Sequence, residues 1–265
     1  MRFPRQEHVP RPLSVFITGA SSGLGAALAR HYAARGAALG LFARRQPQLY
    51  TLAAEFEPGT ALTYAGDVRD VEVLARAAAD FIARFGVPDI VIASAGISHG
   101  TLTDKAEDLP VFRAVFDTNV LGMVHAFHPF VAAMREVRRG ALVGIASVAG
   151  FRGLPGSGAY SASKAAAITY LESLRLELAD SGVAVITICP GFIATPMTER
   201  NPYRMPFRIE SDKAARLIAR AIERKRRVYV LPWPMAIVGG ALRLMPRWLY
   251  DAAFARAPRK PRQPS

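Results

Sequence analysis

The chain has 265 residues, of which 51% are hydrophobic, and a formal net charge of +13. This length and composition fit one α/β domain with a sizeable core. Cys189 is the only cysteine, which excludes an internal disulfide framework, and no Cys/His cluster has metal-ligand spacing, so we predict no metal site.

The predicted elements begin after an N-terminal arm. Residues 1–13 are polar and rich in Pro and Arg, without the apolar run of a signal peptide, so we expect a cytoplasmic protein. Apolar runs then alternate with helix-length amphipathic stretches, at residues 15–17, 39–42, 90–93, 142–146 and 183–188. This alternation predicts an α/β domain over residues 14–231, with a parallel sheet covered by helices on both faces.

A glycine-rich turn follows the first apolar run. It lies between a predicted strand and the alanine-rich start of a predicted helix. Glycines permit a tight turn and a close backbone approach, and the amides at a helix N-terminus favour a phosphate. We therefore predict that the turn binds a pyrophosphate, through Gly19, Ser21, Ser22, Gly23, Leu24 and Gly25.

Three residues in the second half of the chain form the most informative pattern. Tyr160 and Lys164 are four residues apart, which on a helix places a phenol and an ammonium on one face. A free tyrosine has a pKa near ~10, and a neighbouring lysine favours the phenolate. Ser147, at the end of an apolar run, could place its hydroxyl beside the phenol. Each residue has an ordinary structural explanation, but the set fits proton transfer between a carbonyl and an alcohol.

Together these motifs closely resemble the short-chain dehydrogenase/reductase family. The turn has the spacing Gly-x-x-x-Gly-x-Gly, and Ser147, Tyr160-x-x-x-Lys164 and Pro190-Gly191 follow in the family's order. The resemblance implies an NAD(P)-dependent oxidoreductase on a Rossmann-like, doubly wound single domain. It also implies Tyr160 as general acid/base, Lys164 as its pKa-lowering and ribose-binding partner, and Ser147 as a hydrogen-bond donor to the substrate.

The same resemblance assigns further residues. Asn119 matches the asparagine that kinks its helix and anchors a proton-relay water. The other cofactor contacts that it implies are Asp67 and Val68 at the adenine, Ala95 and Gly96 after the fourth strand, and Ile193 and Thr195 at the nicotinamide carboxamide. The segment after the fourth strand reads Ala-Ser-Ala-Gly where the family usually has Asn-Asn-Ala-Gly, so the side-chain hydrogen bonds that brace the sheet are expected to differ.

The end of the second predicted strand indicates which nicotinamide cofactor is used. Ala43 stands where an NAD-preferring site has a carboxylate for the ribose 2′-hydroxyl. Arg44 and Arg45 follow, and guanidinium groups suit a phosphate. We therefore predict NADP(H), with Arg44 as the stronger contact, and the alternative is a solvated pair of arginines before a helix.

The substrate is expected to be a carbonyl compound or a secondary alcohol, bound beside Ser147 and Tyr160. Its predicted pocket is lined by Ile97, Phe151, Leu154, Phe192 and Met197. One alternative function is an NADP(H)-binding sensor or scaffold without turnover. Another is a reductase of lipid-like carbonyls that is held at a membrane surface. By analogy with the family we also expect a homodimer or homotetramer, with helices near residues 112–134 and 160–178 at the interface.

Residues 232–265 form an apolar, aromatic and basic C-terminal extension. From Arg224 onward the chain has ten Lys and Arg and one acid, Asp251. The apolar stretch is too short and too interrupted to span a bilayer. Three interpretations stay open: a cover for the substrate pocket or a subunit interface, a contact with an anionic membrane surface, or a solvated basic tail. Nothing in the segment is typical of a nucleic-acid recognition helix, so we predict no nucleic-acid partner.

Overall fold

The computed structural model describes residues 11–199, 201 and 204–262, so most of the arm at 1–13 lies outside the described residues. Seven strands form one parallel sheet in the order β3-β2-β1-β4-β5-β6-β9. These strands are β1 (Ser14–Thr18), β2 (Ala38–Ala43), β3 (Ala61–Ala65), β4 (Ile90–Ala93), β5 (Ala141–Ile145), β6 (Ala184–Pro190) and β9 (Val228–Leu231). Two short strands, β7 (Ile193–Ala194) and β8 (Ile209–Glu210), pair separately.

Helices connect the strands and cover the sheet. They are α1 (Gly23–Ala33), α2 (Gln46–Ala53), α3 (Val71–Phe85), α4 (Leu109–Phe116), α5 (Gly122–Glu136), α6 (Gly158–Glu177), α7 (Pro196–Glu199), α8 (Ser211–Glu223), α9 (Trp233–Leu244) and α10 (Arg247–Phe254). A π-helical turn at Asp117–Leu121 joins α4 to α5. Of the helices in the described ranges, none has the length and apolar character that crossing a bilayer requires.

The core has two layers, one on each face of the sheet. Successive side chains of a strand point to opposite faces, and β1 shows this directly. Val15 and Ile17 pack with the buried faces of α1, α2 and α8, whereas Phe16 packs with α3, α5 and α6. The predicted α/β domain with a parallel sheet covered on both faces is therefore confirmed.

The strand order produces a crevice at one edge of the sheet. The chain runs from β1 outward through β2 to β3, and then returns to place β4 on the other side of β1. Connections therefore leave β1 and β4 in opposite directions, which opens a crevice beyond their carboxyl ends. The glycine-rich turn follows β1, and the Ala-Ser-Ala-Gly segment follows β4, so both predicted cofactor segments reach this crevice.

Candidate active site

A cleft of about 370 Å³ lies over the carboxyl ends of the central strands. The structure brings together in this cleft every residue that the sequence assigns to the cofactor. They are Gly19, Ser21, Ser22, Gly23, Leu24, Gly25, Arg44, Arg45, Asp67, Val68, Ala95, Gly96, Lys164, Ile193 and Thr195. Residues from five different β-strand ends thus converge on one elongated groove.

Two glycines of the glycine-rich turn, Gly19 and Gly25, have no room for a side chain. Gly19 has a φ of +70°, and a Cβ there would lie 2.7 Å from the Cα of Ala95. A Cβ at Gly25 would lie 2.3 Å from the carbonyl oxygen of Gly19. The turn therefore packs closely against the segment after β4, and α1 begins at Gly23 with its first amides at the cleft. A cradle of this kind fits a pyrophosphate, whose charge is favoured at a helix N-terminus.

One end of the cleft is basic. The Arg45 guanidinium donates to Ser21 Oγ at 3.0 Å and to Ser22 Oγ at 2.6 Å, so it lies directly over the turn. Arg44 is exposed, with its Nη1 3.9 Å from Asp67 Oδ2. Asp67 also accepts from Arg69 at 2.8 Å, and this hydrogen bond holds the pKa of the Asp67 carboxyl below its usual value. Arg69, which the sequence pattern does not single out, thus offsets the charge of Asp67 beside the cleft.

Tyr160 and Lys164 lie on α6, as the spacing predicts. The Lys164 side chain is buried, and its Nζ donates to the Ile145 carbonyl at 2.7 Å and lies 5.8 Å from the centre of the Tyr160 ring. Burial lowers the pKa of the Lys164 ammonium to about 8. Both side chains line the cleft. The ammonium is therefore held under the phenol, in the arrangement that the sequence pattern predicts.

Ser147 caps a 3₁₀ turn two residues after the end of β5. Its Oγ accepts from the amide of Ala149 at 3.1 Å and donates to the Pro190 carbonyl at 3.4 Å. The capping role, which is the ordinary explanation for a serine after a strand, is thus present. Ser147 also lines both the cleft and a neighbouring cavity, and Tyr160 does the same. These two hydroxyls stand where the two spaces meet.

Asn119 occupies the π-helical turn between α4 and α5 and is fully buried. Its Oδ1 accepts from the amide of Ile97 at 2.8 Å, and its Nδ2 donates to the Ile97 carbonyl and to Ser163 Oγ, both at 3.0 Å. The expected helix distortion at this asparagine is present as a π-helical turn. The amide ties α6 to the segment after β4, next to Gly96 and Lys164.

The neighbouring cavity, of about 490 Å³, is mainly apolar. Leu154, Phe192 and Met197 line it as predicted. Two other predicted pocket residues do not line it: Ile97 lies in the cofactor cleft, and Phe151 packs against Gly239 of α9, where its ring would be 2.6 Å from a Cβ. The assignment of Phe151 to the pocket wall is therefore wrong, because α9 covers that ring.

The C-terminal extension supplies the opposite wall of the cavity. The lining residues from this extension are Met235, Val238, Leu242, Phe254, Ala257, Pro258 and Lys260. None of these residues is among the pocket residues predicted from the sequence. The spacing of Met235, Val238 and Leu242 by three and four residues is the signal of one apolar helix face and could have identified them.

The tail that follows α10 is anchored at several points. Gly100 donates its amide to the Pro261 carbonyl at 2.8 Å. Arg262 forms ion pairs at 2.8 Å with Asp108 and Glu107. Lys260 hydrogen-bonds Ser98, and its Nζ lies 5.1 Å from the centre of the Tyr160 ring. Of the three interpretations of the extension, a cover for the pocket agrees with these contacts, and a wholly solvated tail is wrong.

Known proteins share this sequence pattern and fold. Residues 14–205 match the family described as short chain dehydrogenase. The chain is 38% identical over 245 residues to an uncharacterized oxidoreductase of Myxococcus xanthus (strain DK1622), covering 92% of this chain and 96% of that protein. It is similar to the solved structure of a short-chain dehydrogenase from Streptomyces avermitilis, with 26% identity, a TM-score of 0.76 and coverage of 92% and 94%. Levodione reductase has 27% identity and a TM-score of 0.76, with coverage of 83% and 96%.

Proposed function

We propose a specific reaction for this chain, which belongs to the short chain dehydrogenase family of oxidoreductases. The proposed reaction is hydride transfer between NADP(H) and a carbonyl compound or secondary alcohol, with Tyr160 as general acid/base. The observation that carries the proposal is the position of Ser147 and Tyr160, which line both the cleft and the apolar cavity. A cofactor bound in the cleft would therefore contact a substrate bound in the apolar cavity, and the contact would lie beside these two hydroxyls.

The residues of the cleft fit a nicotinamide dinucleotide. The side-chain-free turn at Gly19 and Gly25 would hold the pyrophosphate, Asp67 and Val68 the adenine, and Ile193 and Thr195 the nicotinamide end. When bound, such a cofactor supplies or accepts the hydride. The protein supplies the binding surface, the orientation of the substrate and the path of the proton.

The proton would move through Tyr160. In the reducing direction, the Ser147 hydroxyl donates a hydrogen bond to the substrate carbonyl oxygen, and the Tyr160 phenol gives that oxygen its proton. The Lys164 ammonium then stabilises the phenolate that remains. Asn119 keeps the segment after β4 in register with α6, and a water held near it would return the proton. The oxidising direction uses the same groups in reverse.

The preference for NADP(H) is proposed from the basic end of the cleft. Ala43 provides no carboxylate that would repel a 2′-phosphate. The Arg45 guanidinium is already hydrogen-bonded to two hydroxyls of the turn, and the exposed Arg44 lies next to it in sequence. A phosphate held here would receive charge-assisted hydrogen bonds, which are the strong ones.

Arg44→Ala and Arg45→Ala are each expected to weaken NADPH binding about 10- to 100-fold, because each removes a charge-assisted contact. NADH binding should change by less than about threefold, since NADH has no 2′-phosphate. Nicotinamide fluorescence titrations of the purified protein with NADPH and NADH measure both. Arg35→Ala is the control, because that guanidinium pairs with Glu223 away from the cleft. A wild-type preference for NADH contradicts the assignment.

A membrane contact is proposed for the outer face of the extension. Trp233, Ile237 and Leu244 are spaced by four and seven residues, so they share the face of α9 opposite to the one that lines the cavity. Their exposures are 74%, 64% and 86%, and Trp248 on α10 is 72% exposed. Exposed Arg243 and Arg247 lie beside them. An apolar face bordered by arginines fits the surface of an anionic bilayer.

The double substitution Trp233→Ser with Trp248→Ser is expected to reduce binding to anionic phosphatidylglycerol vesicles at least tenfold, because it removes the two largest exposed apolar groups. Cosedimentation with such vesicles, and with neutral phosphatidylcholine vesicles, measures the effect. Tyr50→Ser, on the exposed surface of α2, should change nothing. Wild-type protein that stays in the supernatant with anionic vesicles contradicts the membrane contact.

We also propose a homodimer or homotetramer, with α4, α5 and α6 at the interface. Leu109, Phe112 and Leu176 are large apolar side chains on α4 and α6, and they are 61%, 40% and 64% exposed. Burial of such side chains between copies would stabilise association. A cytoplasmic location remains a prediction from the sequence.

A further inference from the structure

We propose that Lys260 binds a carboxylate of the substrate, and that the substrate is an oxo acid or hydroxy acid with an apolar body. This inference rests on the proposed oxidoreductase function and names the substrate class for the same site. The C-terminal tail, through Lys260, would then determine specificity. Four observations support it: the charge of the cavity, the surroundings of Lys260, its distance from Tyr160 and its anchorage.

The cavity is apolar and positively charged. Its wall is formed largely by apolar side chains from the loop after β5, the loop after β7, α9 and the tail. The charged side chains that line it are Arg152, Arg204 and Lys260, and no aspartate or glutamate is among the described lining residues. A cavity of this composition selects an apolar molecule that carries a negative charge.

The cations of the cavity differ in their partners. The Arg152 guanidinium already has partners within the protein, since it donates to the Met245 carbonyl at 3.0 Å and lies 4.2 Å over the Tyr250 ring. Arg204 is exposed at the rim. Lys260 is half-buried and hydrogen-bonded to the neutral Ser98 hydroxyl, and within the described ranges no carboxylate forms an ion pair with it.

Within the part of the chain that the structure describes, no opposite charge compensates the burial of the Lys260 ammonium. Loss of water around it lowers its pKa to about 8, and among the described residues no carboxylate opposes that effect. A partly desolvated cation is costly unless an anion or several hydrogen-bond acceptors replace the water. Ser98 accepts one of the three ammonium hydrogens. A substrate carboxylate entering the cavity would take the place of the missing counter-charge.

The position of Lys260 fixes where that carboxylate lies in the substrate. Lys260 Nζ is 5.1 Å from the centre of the Tyr160 ring. The reacting carbonyl would lie at the Tyr160 hydroxyl, so an anion bound to Nζ would be a few bonds from it. The rest of the molecule would extend along Leu154, Phe192 and Leu242.

The contacts of the tail around Lys260 hold this lysine in place. A Cβ at Gly100 would lie 2.2 Å from the Lys260 carbonyl oxygen, so the tail backbone approaches closer than any side chain allows. Two residues further, Arg262 pairs with the buried Asp108 carboxylate, and these hydrogen bonds lower the pKa of that carboxyl. The lysine is therefore presented by a specific docking of the tail.

The test compares a medium-chain 4-oxo carboxylate with its methyl ester as substrates, with NADPH oxidation as the readout. We expect the wild-type kcat/KM to be about 10- to 100-fold higher for the carboxylate than for the ester, because one charge-assisted contact contributes an effect of this size. Lys260→Met should remove that preference mainly through KM, and Lys260→Arg should keep most of it. Arg256→Met is the matched control, because it removes an exposed charge from the same tail outside the cavity lining.

A binding measurement makes the result independent of turnover. Calorimetry on the NADP⁺-saturated protein compares a saturated medium-chain carboxylate with its methyl ester, for wild type and the Lys260 variants. An unchanged carboxylate-to-ester ratio in Lys260→Met, in kinetics or in binding, overturns the inference. If the ester is reduced and the reduction requires Tyr160, the proposed function stands while the anion site fails. If the wild-type protein oxidises NADPH with neither compound nor with other carbonyls, the proposed function itself is wrong.

Discussion

Tyr160→Phe is expected to lower kcat for NADPH-dependent carbonyl reduction by about 10²- to 10⁴-fold, the range that a positioned general acid contributes. The substitution removes only the phenol oxygen, and the ring can still pack between the cleft and the cavity. The NADPH dissociation constant should therefore change by less than about threefold. Steady-state kinetics on a carbonyl substrate and a fluorescence titration with NADPH separate the two effects.

A second tyrosine of the same helix provides the control. Tyr170 lies on α6 and packs against the core layer on that face of the sheet. Tyr170→Phe removes the same atom without touching the cleft, so turnover should be retained. Equal turnover by wild type and Tyr160→Phe contradicts the role as acid/base. Tight NADPH binding without turnover of any carbonyl by the wild type would favour the sensor or scaffold alternative.

The fold was predictable where local patterns decide it. Buried parallel strands give short apolar runs, and the runs at residues 15–17 and 39–42 lie within β1 and β2. The i, i+4 spacing of Tyr160 and Lys164 also follows from helix geometry alone. Whether both side chains face the same cleft depends on the order of the strands in the sheet. No local pattern in the sequence specifies that order.

The wall of the substrate cavity was harder to predict because it depends on long-range contacts. α9 is apolar on two faces, with Met235 and Leu242 turned to the cavity and Trp233 and Leu244 turned outward. Such a pattern does not indicate which face packs on the domain. The position of Phe151 depends on the same docking of α9. Its ring is covered by Gly239, and no local pattern around Phe151 indicates that contact.

The tail shows a further limit of sequence interpretation. Lys260 and Arg262 belong to a Pro- and Arg-rich stretch whose composition is typical of a solvated tail. Their partners, Ser98 and Asp108, lie more than 150 residues earlier in the chain. The close approach permitted by Gly100 and the ion pairs of Arg262 bring the two segments together. The number of charged residues gives the sign of the net charge of such a segment, but it does not indicate which residues the segment contacts.

Asn119→Leu is expected to cause the largest loss of stability among single substitutions near the site. Leucine leaves the Ile97 amide and carbonyl and the Ser163 hydroxyl without the bonds that the Asn119 side chain provides. A buried polar group without a partner costs about 1–3 kcal/mol. The Ser163 hydroxyl still donates to the Tyr160 carbonyl, so two groups lose their partner. The free energy of unfolding should therefore fall by roughly 2–6 kcal/mol, a large part of the 5–15 kcal/mol that is typical of a domain.

Urea unfolding followed by circular dichroism measures this loss. Leu121→Ala is the control, because Leu121 belongs to the same π-helical turn and is 48% exposed, so its replacement should cost less than about 1 kcal/mol. Asn119→Asp keeps the acceptor for the Ile97 amide but loses both donors and buries a carboxylate, so it should also be less stable than the wild type. Because the amide also aligns α6 with the segment after β4, both Asn119 variants should lose turnover at urea concentrations where Leu121→Ala is still active. If Asn119→Leu unfolds at the wild-type midpoint, the π-helical turn is held by its packing and not by the buried amide.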